Sequence, residues 1–191
     1  MEKQSEVTKV SGFSAIGARD ICYIAIFTAV IAVMAQISIP LPGGVPLTLQ
    51  TLAVPLAGIV LGAKRGTLST VIYILLAAIG IPVLANMTGG IGTVLGMTGG
   101  FIISFPFMAF LSGLVADRGV KSLVYWTGLL GGVIVNYVIG TVWFVFVSGS
   151  TLMTALAACV LPFIPTAVIK LVLSGLFGDA LKKSMKKAGL L

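Results

Sequence analysis

The chain alternates between long uncharged blocks and short charged knots. Residues 21–63, 66–116 and 122–169 form three stretches of 43, 51 and 48 residues without an Asp, Glu, Lys or Arg. A helix needs about 20 apolar residues to cross a bilayer, so each block holds two crossings and reads as a helical hairpin with an uncharged far turn. Breaker residues place those turns. In the first block the run Ile39-Pro40-Leu41-Pro42-Gly43-Gly44-Val45-Pro46 excludes regular helix. In the second the turn is the Gly- and Thr-rich run from Asn86 to Gly100. In the third, Ser148-Gly149-Ser150 opens a turn that Pro162 to Pro165 closes, and the 151–161 stretch between them, too short to span, reads as a helix lying at the outer surface. Six spans follow, at roughly 20–38, 47–63, 66–85, 99–116, 122–147 and 163–181. The apolar runs are continuous and lack the alternation of barrel strands. The expected fold is an all-α membrane protein, a six-transmembrane-helix bundle of three hairpins. It forms a single integral membrane domain over 1–191: an N-terminal segment 1–19, the bundle 20–181 and a basic tail 182–191.

Composition agrees with the pattern. Of 191 residues, 58% are hydrophobic and 9% charged, against roughly 25% charged in a soluble domain. An ordinary water-soluble enzyme and a disordered chain are both excluded. The few charges also orient the bundle. Lys3, Lys9, Arg19, Lys64, Arg65, Arg118, Lys121, Lys182, Lys183, Lys186 and Lys187 fall on one side and none on the other, which predicts cytoplasmic termini and outward-facing uncharged turns. The net charge of +7 reflects this bias and an attraction to anionic headgroups; it is no case for nucleic-acid binding. A cleaved signal peptide is the rival reading of the first 35 residues. The first apolar run, however, leads into a proline-rich loop and completes an even set of spans. Cys22 and Cys159 fall on opposite sides of the membrane, so no disulfide is expected.

Several chemistries lack their residues. There is no His and no Cys cluster, so no metal site is expected. There is no Gly-x-x-x-x-Gly-Lys-[Ser/Thr] run to cradle ATP. The glycines at 89, 90, 92, 96, 99 and 100 open no βαβ unit, and within the spans the one carboxylate, Asp179, lies near a cytoplasmic end. Paired-carboxylate hydrolysis and an intramembrane proton relay are unsupported.

One charge stands out. Lys170 lies about seven residues into the last span, ~10 Å below its outer end at 1.5 Å per residue. An ionisable group in a span is a functional-site hypothesis by default; the bland alternative is a snorkelled or neutralised lysine. No Asp or Glu occurs in the outer half of any span, so its partner is backbone carbonyl, water or an anionic ligand. Helical spacing sets Thr166, Lys170 and Ser174 on one face, and Asn136, Gly140 and Trp143 on another with Tyr137 beside them. Asn136 also suits plain helix–helix bonding, and Trp143 an interfacial anchor. The outer turns add Thr48, Gln50, Asn86, Thr88 and Thr98. Together these residues predict an outward pocket with amides, aromatic surface and a single cation, fit for a small, partly apolar, hydrogen-bonding carboxylate.

The strings carrying these groups resemble a known family. Val45-Pro-Leu-Thr-Leu-Gln-Thr-Leu-Ala-Val-Pro-Leu-Ala-Gly58, with Leu61-Gly62 and Gly66, resembles the signature of the BioY family. Those proteins are the biotin-specific substrate-binding (S) components of energy-coupling factor (ECF) transporters. Gly80-Ile-Pro-Val-Leu-Ala85 with Gly89-Gly90, Gly96-Met-Thr-Gly-Gly-Phe101, and Leu161-Pro-Phe-Ile-Pro165 with Lys170 resemble further family motifs. The similarity covers roughly residues 20–185. It departs where the family commonly shows Gly-Asp before the lysine and this chain has Thr166-Ala167, and where Met97 and Phe101 replace a Pro and a Tyr.

The resemblance implies a biotin-transporting subunit of the prokaryotic plasma membrane, not an enzyme, with no cofactor beyond its ligand. Asn86, Gln50 and Thr48 would then read the ureido group, Trp143 and Tyr137 pack on the thiophane ring, and Lys170 take the valerate carboxylate. Its implied partners are a membrane coupling subunit (T component) and two ABC-type ATPases. Ala25-x-x-x-Ala29 on span one offers the docking face through close helix approach, the alternative being packing within the bundle. An autonomous channel with Lys170 on an anion path is the competing class. A pore would need polar groups through both halves of the membrane, whereas here they cluster in the outer half. An intramembrane enzyme lacks a nucleophile–base pair.

Overall fold

The computed structural model describes residues 17–41 and 44–190. Helices α1 (Ala18–Gln36), α2 (Gln50–Ala78), α3 (Ile91–Val94), α4 (Gly99–Val115), α5 (Leu123–Ser148), α6 (Leu152–Cys159) and α7 (Ile164–Lys187) make an all-helical bundle. A two-residue antiparallel pair, β1 (Ser38–Ile39) with β2 (Leu47–Thr48), joins α1 to α2. Among the described residues five helical stretches are long and apolar enough to cross a membrane. In a bilayer only structures that satisfy their own backbone span, which is why these apolar blocks settle as helices.

The second stretch is two helices back to back. Gly62, at φ 81° and ψ 171°, breaks α2, and Gln50 at its start hydrogen-bonds Tyr73 near its end. A straight helix would hold those groups some 35 Å apart, at 1.5 Å per residue. The chain therefore reverses at Gly62, in a backbone conformation that favours glycine. The two halves, 50–61 and 63–78, then touch at Gly58 and Gly66: a Cβ on Gly66 would lie 2.6 Å from the Gly58 Cα. Gly58 is as tight against α4, where its Cβ would meet the Ala109 carbonyl oxygen at 2.2 Å. Gly128 and Gly132 similarly pack against Val115 and Met108. These small-residue spacings serve close packing inside the bundle.

The six long segments match the expected spans with shifted ends. The third ends at Ala78 rather than 85, because the chain turns at Gly80 (φ 98°) into the loop that carries Asn86. The last runs to Lys187, so most of the basic tail is helix. Asp179 and Lys183 pair at i, i+4 there, and Lys182 and Lys186 both reach Asp117. With Arg65–Asp20 at 2.9 Å, these ion pairs gather at one end of the bundle. Both described ends lie there too, the Tyr23 hydroxyl donating to the Leu190 carbonyl. Cys22 is exposed on α1 and Cys159 buried in α6, both as free thiols.

Candidate functional site

The opposite, uncharged end holds a cavity of about 200 Å³. Its floor is set by the start of α2. Thr48 closes the β1–β2 ladder opposite Ser38, and its hydroxyl donates to Gln50 Oε1 at 2.9 Å. Gln50 Nε2 donates to the Tyr73 hydroxyl, which donates to the Val83 carbonyl at 3.0 Å. This chain of bonds crosses from one half of α2 to the other and on to the loop beyond. It leaves Gln50 one N–H and spare acceptor capacity, so the glutamine is a fixed wall that still has hydrogen-bonding capacity to offer.

Lys170 enters from α7. Its ammonium donates to the Thr48 carbonyl at 2.6 Å and to Thr51 Oγ1 at 3.3 Å, and the residue is 8% exposed. Lysine carries three donors, so one remains for whatever fills the cavity. Among the described residues no carboxylate stands beside it; Asp20, Asp117 and Asp179 are all engaged at the charged end. Ala167, at which the chain departs from the family pattern, lines a small crevice with Lys170, Asn136 and Tyr137. Of the residues sharing its helical face, Ser174 is buried against the Leu171 carbonyl and Thr166 bonds the Phe163 carbonyl. Lys170 alone of the three lines the cavity.

Asn136 is buried between α4 and α5. Its Nδ2 donates to the Phe101 carbonyl at 2.9 Å and to Ser104 Oγ at 2.6 Å. Among the described residues nothing donates to its Oδ1, and the side chain lines the cavity. It therefore both ties two helices and offers a free acceptor. Phe101 packs over Gly140, whose Cβ would meet its ring at 2.2 Å, and stands edge-on to Tyr137 with centroids 6.4 Å apart. Phe101, Phe105, Phe163, Leu84, Ile102 and Val45 supply the apolar wall.

Asn86, Thr88 and Thr98 line the mouth. Asn86 (φ 57°) and Met87 (φ 54°) both lie in the left-handed region, which costs about 1–2 kcal/mol for residues other than glycine and is easiest for Asn. The bridge between Leu84 and Thr88 holds this turn. So does Gln36, whose Oε1 accepts from the Met87 N–H at 2.9 Å while its Nε2 donates to the Leu84 carbonyl at 3.0 Å.

Eight of the nine residues expected at the pocket line this cavity: Thr48, Gln50, Asn86, Thr88, Thr98, Asn136, Tyr137 and Lys170. Trp143 does not. Its indole N–H donates to the Gly96 carbonyl at 3.0 Å, and its side chain packs on Gly99 and Gly100, so it clamps the start of α4; the aromatic rings on the cavity wall are Phe101, Phe105, Tyr137 and Phe163. Three residues absent from the expectation matter as well. Thr51 reaches Lys170, Thr93 lines the wall, and Gln36 positions the Asn86 turn. Gln36 had a signal, since a lone amide within an apolar span is expensive unless bonded.

Away from the cavity, Ala25 and Ala29 are exposed on α1. They line an apolar surface groove of about 570 Å³ with Thr28, Ala32, Leu68 and Ile72, between α1 and the second half of α2.

Comparison with known proteins places this geometry in a family. The BioY family model matches residues 2–187. The chain is 45% identical over 153 residues to the probable biotin transporter BioY of Pyrococcus horikoshii, covering 80% of this chain and 90% of the relative. It is 41% identical over 161 residues to the biotin transporter BioY of Thermotoga maritima, covering 83% and 92%. A crystal structure of the S-component for biotin from an ECF-type ABC transporter superposes with a TM-score of 0.77 at 34% identity, over 86% of this chain and 91% of that one. A match along nearly the whole chain, with the same fold, leaves one conclusion: the chain belongs to the BioY family.

Proposed function

We propose that the chain is a biotin-binding membrane subunit, which captures biotin from outside the cell and delivers it for ATP-driven uptake by a partner energy-coupling module. The observation that carries this reading is the Lys170 ammonium, buried in the wall of an otherwise neutral cavity and bonded only to neutral oxygens. Burying a charge is costly unless it is paired, and a ligand carboxylate removes that cost. Asn136 Oδ1 and the remaining N–H of Gln50 suit a ureido group, which both donates and accepts. Phe101, Phe163 and Tyr137 suit an apolar ring. The relatives named as biotin transporters and the biotin S-component of similar fold support the same ligand.

Orientation follows from the charge bias: the ion-paired end, with both described ends of the chain, faces the cytoplasm and the cavity faces out, in a multi-pass protein of the cell membrane. The exposed Ala25 and Ala29 support docking of a membrane coupling subunit, which works with two ABC-type ATPases, because small side chains let another helix approach closely.

Calorimetry on detergent-purified protein tests the ligand. Biotin should bind, whereas an analogue lacking the ureido group, thiamine and riboflavin should bind far more weakly, since a site built to pair polar groups rejects ligands without them. Comparable affinity across the set refutes the assignment. For the partner, Ala25→Leu with Ala29→Leu should abolish co-purification with the coupling subunit and spare biotin binding. Loss of biotin binding with assembly intact would remove the groove from the interface.

A further inference from the structure

The charged end carries a second cavity, of about 230 Å³, where the α4–α5 turn meets the last turns of α7. Its wall contains Arg118, Lys121, Lys182, Lys183 and Lys186 against Asp117 and Asp179, five cations to two carboxylates. The available carboxylate is thinly shared. One oxygen of Asp117 serves both Lys182 at 3.0 Å and Lys186 at 3.2 Å, and Asp179 is taken by Lys183. Arg118 and Lys121 have no ion pair among the described residues. The other charged turn is less cationic: of its two cations Arg65 pairs with Asp20, leaving Lys64 alone without an ion pair among the described residues. Immediately beside the cavity the helix faces are apolar and exposed, with Leu114 three residues before Asp117, Leu123 two after Lys121, and Phe177 and Leu181 flanking Asp179.

We propose that this cavity is a headgroup site for an anionic phospholipid. The phosphodiester seats among Arg118, Lys121 and Lys186, and the acyl chains run along the apolar faces of α4, α5 and α7. Arg118 offers a planar fork of donors matched to phosphate oxygens, and Lys121 and Lys186 add point charges. Basic pockets between helix ends at the cytoplasmic face are suited to anionic headgroups. Free phosphate shares the headgroup's chemistry but makes no use of the adjacent apolar surface.

Native mass spectrometry of the full chain in detergent, titrated with phosphatidylglycerol or phosphatidylcholine, tests this. Wild type should retain phosphatidylglycerol in clear preference. Headgroup attraction is worth about a fivefold change in affinity per basic side chain. The triple variant Arg118→Gln, Lys121→Gln, Lys186→Gln should therefore lose on the order of a hundredfold. The equally discharged triple Arg19→Gln, Lys64→Gln, Lys187→Gln should keep most of the preference. Biotin titration verifies that each variant is folded; if the first triple is not, the single variant Lys121→Gln carries the test, with a fivefold loss expected. Equal losses in the two triples would reduce the effect to bulk charge and overturn the site. Displacement of phosphatidylglycerol by millimolar inorganic phosphate would overturn the lipid as its occupant. No lipid preference in wild type, with loss of coupling-subunit co-purification in the first triple, would make the patch a protein interface instead.

Discussion

Two lysines on α7, Lys170 and Lys182, are equally buried at 8% exposure and are provided for in opposite ways. Lys182 sits at the charged end with Asp117 Oδ1 at 3.0 Å, in a cluster where Lys186 shares the same oxygen. Lys170, about 18 Å along the helix at 1.5 Å per residue, has a backbone carbonyl and a threonine hydroxyl. Lys182 has a carboxylate of its own chain beside it; Lys170 has none among the described residues, which suits the carboxylate of the proposed ligand. A buried ion without a counter-charge destabilises the protein that holds it. Under the proposed function Lys170 is a cost to the empty fold that a ligand carboxylate would offset, the expected signature of a functional lysine rather than a structural one.

The most direct way to break this comparison is Lys170→Met, which keeps much of the side-chain volume and removes the charge. A hydrogen bond to a charged group contributes about 1.5–3 kcal/mol, so biotin affinity should fall roughly ten- to a hundredfold or more. A neutral biotin methyl ester should bind wild type and variant nearly alike, which isolates the carboxylate–lysine contact from general damage. The ligand-free variant should melt no lower than wild type, since the substitution removes an uncompensated charge. Equal weakening of acid and ester would mean that Lys170 serves the fold or another ligand group.

Much of this contrast was legible in the sequence because charge is scarce there. Three uncharged blocks marked the hairpins, and a lysine interrupting the last apolar run marked the site. Polar residues in the outer turns were visible for the same reason, and they line the cavity. What stayed hidden depends on backbone conformation and on apolar identity. The charged pair Lys64-Arg65 marked the reversal between the second and third spans, but only the backbone shows that the turn is made at Gly62, through one positive φ. The two-residue strands exist because the prolines at 40 and 46 bar helix between them, and only pairing shows that Thr48 meets Ser38. Phe101 and Phe105 were indistinguishable from any lipid-facing aromatic. Trp143 was misplaced because its face was known but its neighbour was not: that face meets Gly99 and Gly100 on α4.

Gln36 sharpens the comparison from the side of the cavity mouth. Its amide holds the turn in which Asn86 and Met87 both adopt left-handed backbone. Gln36→Leu removes those bonds without touching the cavity lining. Each ordinary hydrogen bond contributes about 0.5–1.5 kcal/mol, so biotin should bind up to roughly tenfold more weakly. Acid and methyl ester should suffer equally, unlike the Lys170 case. A loss confined to the acid would contradict the expectation that Asn86 reads the ureido group rather than the carboxylate.

The smallest effect belongs to the other lysine. Lys182→Met removes a cation as buried as Lys170, yet Asp117 keeps Lys186 at 3.2 Å and is itself largely exposed. Exposed ion pairs contribute about 0–1 kcal/mol and are weakened by salt, so the melting temperature should move little and the shift should shrink further at high ionic strength. Biotin affinity should stay within about twofold, because a cation already paired with Asp117 exerts little pull some 18 Å away along the helix at 1.5 Å per residue. Calorimetry at low and high salt measures both quantities. If Lys182→Met lowered biotin affinity as Lys170→Met does, the two ends of α7 would be coupled through the bundle. The division between a lysine paired within the chain and a lysine left for a ligand would then fail.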